Sequence, residues 1–442
     1  MELDRPTGET LSSLTVTPKL QRLAAQATHD PKRVFTTLAH LIDEDLLHEA
    51  YRHTSKSSAA GIDGVTAKMY AEHLDDNLRD LHERLRSGRY QAAPVERVWI
   101  EKDDGGQRPI GKPAFEDKIV QRAVAMLLEA IYEQDFHDCS YGFRPGRSPH
   151  AALHEVRERC MQEGIGWIVD ADVSGYFDSI DRTRLQEVLR QRVNDGRIRR
   201  LIGKWLRAGV MEDGVLSHPE SGVVQGGVIS PVLANIFLHH VLDEWFEREV
   251  RPRMKGRCFL TRFADDFVIG CEREADARRI MAVRPKRFAR YGLTIHPSKT
   301  TLSAFRKPDA RQASADGNGT FDFLGLTHYW TKSRRGYWVI KRRTARKRLR
   351  RTKKALWRWC RANRHAPLKD QYRMLCLKLR GHFQYYGIRG NFRLLDEVRR
   401  HAEKAWRYWL SRRSSKSAIG WEKFQRLLQT YVLPTPKIVH TI

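Results

Sequence analysis

Two adjacent carboxylates interrupt a run that otherwise reads as two buried strands, Arg262-Phe263-Ala264-Asp265-Asp266-Phe267. Cys258 to Phe263 and Phe267 to Cys271 are rich in β-branched and aromatic residues, so the Asp pair falls at or near the tip of a tight hairpin. Like charges side by side repel. Such a pair persists most easily where a divalent cation neutralises it, and hard carboxylate oxygens suit Mg2+. A second acidic strand lies upstream, Trp167-Ile168-Val169-Asp170-Ala171-Asp172-Val173, followed by Ser174-Gly175-Tyr176-Phe177-Asp178. One carboxylate on one strand and two on a hairpin jointly hold two ions roughly 3.5–4 Å apart in enzymes that transfer phosphoryl groups. An Asp-Asp turn on its own is a weak sign, because Asp is a common turn residue that bonds its own backbone.

Charge is distributed very unevenly along the 442 residues. Residues 1–330 hold 48 Lys+Arg against 48 Asp+Glu, whereas residues 331–442 hold 32 against 5, so the net +27 sits in the last quarter. That block is an electrostatic footprint for a polyanion, most simply nucleic acid. It also contains Trp357, Trp359, Tyr372, Phe383, Tyr385, Tyr386, Trp406 and Trp409 at helix-like intervals, more aromatic surface than a solvated tail carries. A folded basic domain is therefore expected. The six cysteines show no CxxC and no Cys/His spacing that closes a zinc site, and they read as buried thiols of a reducing compartment. The first residues lack an apolar signal region, and no apolar run approaches the ~18 residues that span a bilayer, so a cytoplasmic protein with no membrane partner is expected.

Residues 1–35 are polar and weakly patterned, and Arg33 to about Leu85 is helical with a turn at Gly61-Ile62-Asp63-Gly64. Val95 to Ile100 is a strand that returns at Arg108-Pro109-Ile110 after the 103–106 loop. Ala114 to about Asp135 carries Ile119, Ala123, Leu127 and Ile131, the spacing of an amphipathic helix. Further helices are expected near 183–207. The Gly-rich segment 221–231 enters a helix capped by Ser230 with Pro231 in its first turn, continued by Leu233, Phe237, Val241 and Trp245. Pro285 should kink or end a helix over 274–290. After an internal loop at 306–320, strands are expected at 321–326 and 337–341, then basic helices near 343–362, 369–386 and 393–411.

Taken in order, these landmarks resemble one family. Gly61-Ile62-Asp63-Gly64-Val65, Arg108-Pro109-Ile110-Gly111-Lys112-Pro113, Ser140-Tyr141-Gly142-Phe143-Arg144-Pro145-Gly146-Arg147-Ser148 and Asp172-Val173-Ser174-Gly175-Tyr176-Phe177-Asp178 match successive blocks of group II intron reverse transcriptases. So do Gln225-Gly226-Gly227-Val228-Ile229-Ser230-Pro231 with Leu233-Ala234-Asn235, the Phe-Ala-Asp-Asp turn, Gly292-Leu293 with Lys299, and Phe323-Leu324-Gly325. Leu379-Arg380-Gly381-His382-Phe383-Gln384-Tyr385-Tyr386-Gly387 resembles the maturase thumb of that family. The resemblance implies an α+β right-hand polymerase: fingers and palm, with an antiparallel palm sheet plus helices, followed by an α-helical basic thumb. The implied division is an N-terminal helical extension (1–60), fingers (61–165), palm with interleaved finger elements (166–330), thumb (331–390) and a basic C-terminal DNA-binding segment (391–442). Two departures stand out. Phe263 replaces the usual Tyr of the turn, and no Cys/His-rich HNH endonuclease block is present, so second-strand cleavage is not expected.

The implied activity is RNA-directed DNA synthesis from dNTPs on an RNA template with a DNA primer. Asp172, Asp265 and Asp266 would ligate two Mg2+ ions, with Mn2+ as a substitute. Asp170 shares a strand face with Asp172 and is a rival ligand. Phe177 matches the family's steric gate against the ribose 2′-hydroxyl, although an aromatic core residue reads the same way. Arg108 and Lys102 flank the 103–106 turn and would reach the triphosphate, a charge pattern that a solvated hairpin also carries. Gln225 with its glycines looks like the loop under the templating base pair. Lys299 resembles a late palm lysine or is a surface lysine. Arg342, Arg343, Arg346, Lys347, Arg350, Arg351, Lys353 and Lys354 recur on more than one face of a helix, which suits one laid along a nucleic-acid backbone. The resemblance further implies binding of structured intron RNA to promote splicing, and mobility by target-primed reverse transcription at target DNA. Its rivals are a domesticated reverse transcriptase of DNA repair or antiphage defence, a splicing cofactor whose polymerase is idle, and an unrelated nuclease with the same carboxylates.

Overall fold

The structure, a computed structural model, describes residues 18–101, 106–171, 173, 175–212, 215–217, 222–223, 225–296, 300–309, 319–414 and 418–441. Lys102, Asp172 and Lys299, and most of the expected 103–106 and 306–320 loops, lie outside the described residues. The chain divides into two compact units. One holds residues up to Ala152, with Ala171–Ile269 and Ala275–Thr301; the other holds Leu153–Asp170, Gly270–Glu274 and the chain from Leu302 onward.

In the first unit the helix Phe115–Tyr132 is the central element. Its spacing predicted one apolar face, but fourteen of its eighteen residues are buried, because the helices Pro18–His29 and Glu44–Arg52 both pack on it. Pro18–His29 lies in the stretch that reads as polar and weakly patterned. Three of the central helix's buried residues are polar and find partners: Asp117 accepts from Tyr90 Oη at 2.5 Å and the Ala93 amide at 3.1 Å, Lys118 Nζ donates to the Ala59 carbonyl at 2.6 Å, and Gln121 faces the Ile229 amide. Burial pushes the Asp117 carboxyl up to about 6.

The expected hairpin is present as Val95–Glu101 and Gln107–Lys112, with Ile100 opposite Arg108. It extends into a four-stranded sheet: Val95–Glu101 also pairs in parallel with Val210–Glu212, which pairs antiparallel with Val215–Ser217. Ser230 is the first residue of its helix, Ser230–Leu238, with Ile229 at the cap position and no side-chain cap, so the capping role assigned to Ser230 is corrected. That helix continues through π-helical turns at His239–Asp243 and Phe246–Val250. The helix Glu274–Ala289 runs through Pro285 instead of ending there. Burial of Ala277, Ile280, Arg284 and Phe288 on one face holds both halves to the same core and outweighs the lost hydrogen bond.

The second unit contains Trp167 to Asp170, where the Gly166 amide donates to the Cys271 carbonyl at 3.0 Å and the Phe305 amide to the Gly166 carbonyl at 2.8 Å. A three-stranded antiparallel sheet follows, Phe321–Phe323, Leu326–Lys332 and Trp338–Thr344, with Leu326–Lys332 in the centre. The single strand expected over 321–326 is broken because Leu324 and Gly325 both turn with positive φ, 50° and 76°. Four helices, Arg346–Ala362, Leu368–Tyr386, Phe392–Leu410 and Trp421–Thr430, enclose a core of Leu356, Leu375, Leu379, Leu395, Trp406 and Phe424. The basic block is a folded domain, as its aromatic content required. Among the described residues no helix is long and apolar enough to cross a membrane.

Trp406 is fully buried and its indole N–H donates to Gln371 Oε1 at 2.9 Å. Trp406→Ala is expected to cost about 3–5 kcal/mol through the cavity it leaves, with the orphaned Gln371 adding to the loss. Urea unfolding followed by circular dichroism checks this: the helical transition should move to lower denaturant.

Candidate catalytic site

Arg262 is the last charged residue before the acidic turn, and its side chain is completely buried. An unpaired guanidinium there would be prohibitive. Every donor is used. Nε and Nη2 grip Asp243 at 2.8 and 2.5 Å, Nη2 also reaches Ser140 Oγ at 2.7 Å, and Nη1 donates to Asn235 Oδ1 at 2.9 Å and to the Ala264 carbonyl at 3.1 Å. Asp243 is equally buried. Burial alone would pull the Arg262 pKa down, but the Asp243 carboxylate outweighs it and the net shift is upward.

The bond to Ala264 matters most for the site. Ala264 sits at φ 57°, a left-handed conformation that costs a residue with a side chain, and it forms the turn between the strands Cys258–Phe263 and Asp266–Cys271. The Ser140–Phe143 segment closes on the same turn. The Arg262 amide donates to the Cys139 carbonyl at 2.7 Å, the Tyr141 amide to the Arg262 carbonyl at 2.8 Å, and Asn235 Nδ2 to the Gly142 carbonyl at 2.6 Å. A Cβ on Gly142 would stand 2.2 Å from the Ala264 nitrogen, so the approach needs glycine. Asp265 and Asp266 are thus presented, each half-buried, on a turn whose backbone is held from behind.

Asp172 lies outside the described residues, but its neighbours Ala171 and Val173 are buried, and Val173 bridges Ile295. Just beyond, Tyr176 is buried with its hydroxyl on the Ala234 carbonyl at 2.7 Å. Burial raises that phenol far above its ordinary range, with the Arg262 charge opposing the shift and the Asp265 charge adding to it. Asp170 belongs to the second unit. Of the adjacent aromatics, Tyr176 fills the core while Phe177 stays half-buried, its carbonyl taking the Val223 amide at 2.7 Å.

Gln225 and Gly226 pack on the strand Gln107–Lys112. The Gly111 amide donates to the Gln225 carbonyl at 2.6 Å, and Gly226, at φ 108°, comes so close that a Cβ would lie 2.3 Å from the Gly111 oxygen. Gln225 Oε1 is enclosed without a hydrogen-bond partner among the described residues. It borders a cleft of about 330 Å³ with Arg97, Pro109, Gly111, Asp178 and Arg182. Arg97 and Arg182 were not singled out from the sequence. Arg108 is exposed on the returning strand.

The eight basic candidates of the second unit do not share one element. Arg342 and Arg343 lie on the strand Trp338–Thr344, ahead of the helix Arg346–Ala362. Arg342 is buried, donates to the Leu153 carbonyl at 3.1 Å, and is pushed down to about 10 by burial, which removes it from the nucleic-acid candidates. Arg343 is exposed and stacks over Tyr329, 5.0 Å from the ring centre. Arg346, Lys347, Arg350 and Lys354 are exposed within an arc of about 100°. Arg351 and Lys353 are half-buried, and Lys353 pairs with Glu397. The cations form one exposed stripe instead of wrapping the helix.

A family model described as reverse transcriptase (RNA-dependent DNA polymerase) matches residues 100–328. Protein YkfC of Escherichia coli K12 is 40% identical over 235 residues, covering 52% of this chain and 62% of that protein. The group II intron-encoded protein LtrA of Lactococcus lactis subsp. cremoris is 35% identical over 244 residues, 53% of this chain and 40% of LtrA. The nuclear intron maturase 1, mitochondrial, of Arabidopsis thaliana is 33% identical over 96 residues, 22% of this chain and 13% of that protein. The chain thus spans less than two thirds of the length of each.

Arg262→Met leaves Asp243 buried and uncompensated, and should cost about 3–5 kcal/mol. Adding Asp243→Leu should recover part of that loss. Chemical denaturation of the two variants against the parent checks the expectation; equal stabilities throughout would show that the pair does not brace the turn.

Proposed function

We propose that this chain, which belongs to the reverse transcriptase (RNA-dependent DNA polymerase) family, copies an RNA template into DNA from a primer 3′ end at Asp172, Asp265 and Asp266. The relatives bear out the resemblance to group II intron reverse transcriptases and maturases. The observation that carries the reading is the Arg262-held turn, which presents two adjacent carboxylates at a half-buried tip.

Such an oxygen-only donor set suits a hard divalent cation, Mg2+ with Mn2+ as a substitute. Held by Asp172, Asp265 and Asp266, two ions would activate the primer hydroxyl and neutralise the leaving pyrophosphate. The protein's own part is positioning. Arg108, with Lys102, would take the triphosphate, and the half-buried Phe177 ring would stand where a ribose 2′-hydroxyl clashes, selecting dNTPs. Gln225 would sit under the templating pair, its free Oε1 beside the Arg97–Arg182 cleft. In this reading residues 61–165 are fingers, 166–330 palm, 331–390 thumb and 391–442 a DNA-binding segment.

The exposed stripe Arg346, Lys347, Arg350 and Lys354, with Arg343, Arg351 and Lys353 at its edges, would follow an RNA backbone. That surface would serve both the template–primer duplex and structured intron RNA, supporting splicing and target-primed mobility. RNA binding needs none of the three Asp residues.

In RNA-templated extension of a DNA primer, Phe177→Val should improve rNTP use relative to dNTP by about tenfold or more, roughly 1.4 kcal/mol of lost discrimination. An unchanged ratio would return Phe177 to the core, and no extension by either protein would sink the polymerase reading. RNA affinity should fall with salt. Neutralising Arg346 and Arg350 should lower the slope of log K against log salt by roughly 0.7–0.9 for each contact removed; an unaltered slope would place the RNA elsewhere.

A further inference from the structure

His137, His239 and Glu244 come together in the first unit from segments about a hundred residues apart, with one donor atom from each lying within 4.8 Å of the others. Glu244 Oε1 is the meeting point: His137 Nε2 stands 2.7 Å from it and His239 Nε2 3.7 Å. Its other carboxylate oxygen pairs with Arg248 Nε at 2.8 Å, which fixes the orientation of the group. His239 is the unusual member. It is only 8% exposed, and its Nδ1 is enclosed without a hydrogen-bond partner among the described residues. Nδ1 lies 3.9 Å from Asp243 Oδ2, beyond hydrogen-bond reach, and Nε2 is aimed at the gap between Glu244 and His137. With Nδ1 turned to Asp243, the ring offers Nε2 alone to a ligand, on the side where Glu244 and His137 converge.

We propose that His137, His239 and Glu244 form a binding site for a borderline transition-metal cation of the Zn2+ class. Two imidazoles and one carboxylate are a set that Zn2+ accepts, leaving a fourth position for water at the half-buried His137 side. An ion at roughly 2.0–2.2 Å from each donor would replace the direct His137–Glu244 contact.

The location gives the ion a task. His137 begins the segment whose Cys139 carbonyl and Ser140 hydroxyl bond Arg262, while His239 and Glu244 flank Asp243, the partner of that same guanidinium. An ion here would staple together the two elements that hold the acidic turn from behind. It would act as a structural brace and take no part in phosphoryl transfer.

The test uses the full chain, stripped with chelator and titrated with Zn2+ against a chromophoric competitor in Mg2+-containing buffer, with Co2+ absorption as a spectroscopic probe. One Zn2+ per chain is expected, with a raised thermal midpoint. His137→Gln and His239→Gln should each weaken binding by about tenfold or more, and Asp265→Ala should leave it unchanged. If His239→Gln fails to fold by circular dichroism, the partly exposed His137→Gln decides alone. No stoichiometric uptake by the parent, parental affinity in the His137 variant, or loss of the ion in Asp265→Ala would each overturn the proposal.

Discussion

The buried Arg262–Asp243 pair is the interaction on which the rest of the site depends. Taking both charges out of water costs several kcal/mol for each, and only a bidentate contact with every remaining donor satisfied offsets that cost. Asn235 and Ser140 complete the set, and the last bond goes to the Ala264 carbonyl at the tip. An apolar core would match this in stability, but it would not specify the turn. The guanidinium holds a left-handed alanine in place so that two carboxylates project from a backbone that cannot relax away from their mutual repulsion.

Around that tip the chain relies on close backbone approaches, and these place glycine where it occurs. Gly142 lies against Ala264, and Gly226 against the Gly111 carbonyl. Each contact brings a loop to within van der Waals distance of a strand, leaving the facing surface free of side chains. The cleft beside Gln225, with Arg97 and Arg182 on its wall, follows from that packing. The second unit is built on the opposite principle, with long cations on the outside of a helix whose other side carries Leu356 and Cys360 into an aromatic core.

The hairpin was legible because strands of apolar and β-branched residues on both sides of Asp265-Asp266 leave the chain one place to turn. Its brace was not, since Arg262 draws partners from 19, 27 and 122 residues away. The signal available was a lone arginine in a strand otherwise fit for burial, which demands a buried carboxylate without saying which. The central strand Leu326–Lys332 was missed because Leu324-Gly325 hides a turn inside an apolar run. Arg342 was misassigned because a run of cations carries no mark of where strand gives way to helix; alternation on the strand buries Arg342 and exposes Arg343. The encirclement of Phe115–Tyr132 depends on Pro18–His29, a helix in a stretch whose sequence reads as polar and weakly patterned. His137 and His239, about a hundred residues apart, gave no ligand spacing to read.

The measurement that bears most directly on the central claim compares cDNA synthesis by the parent chain and Asp265→Ala under single-turnover conditions, across a range of Mg2+ concentrations, with RNA affinity measured alongside. The account predicts Mg2+-dependent cDNA from the parent and none from the variant, with RNA affinity equal in both. Persistent cDNA synthesis by Asp265→Ala would contradict it, because the turn that Arg262 holds would then not be where the chemistry happens.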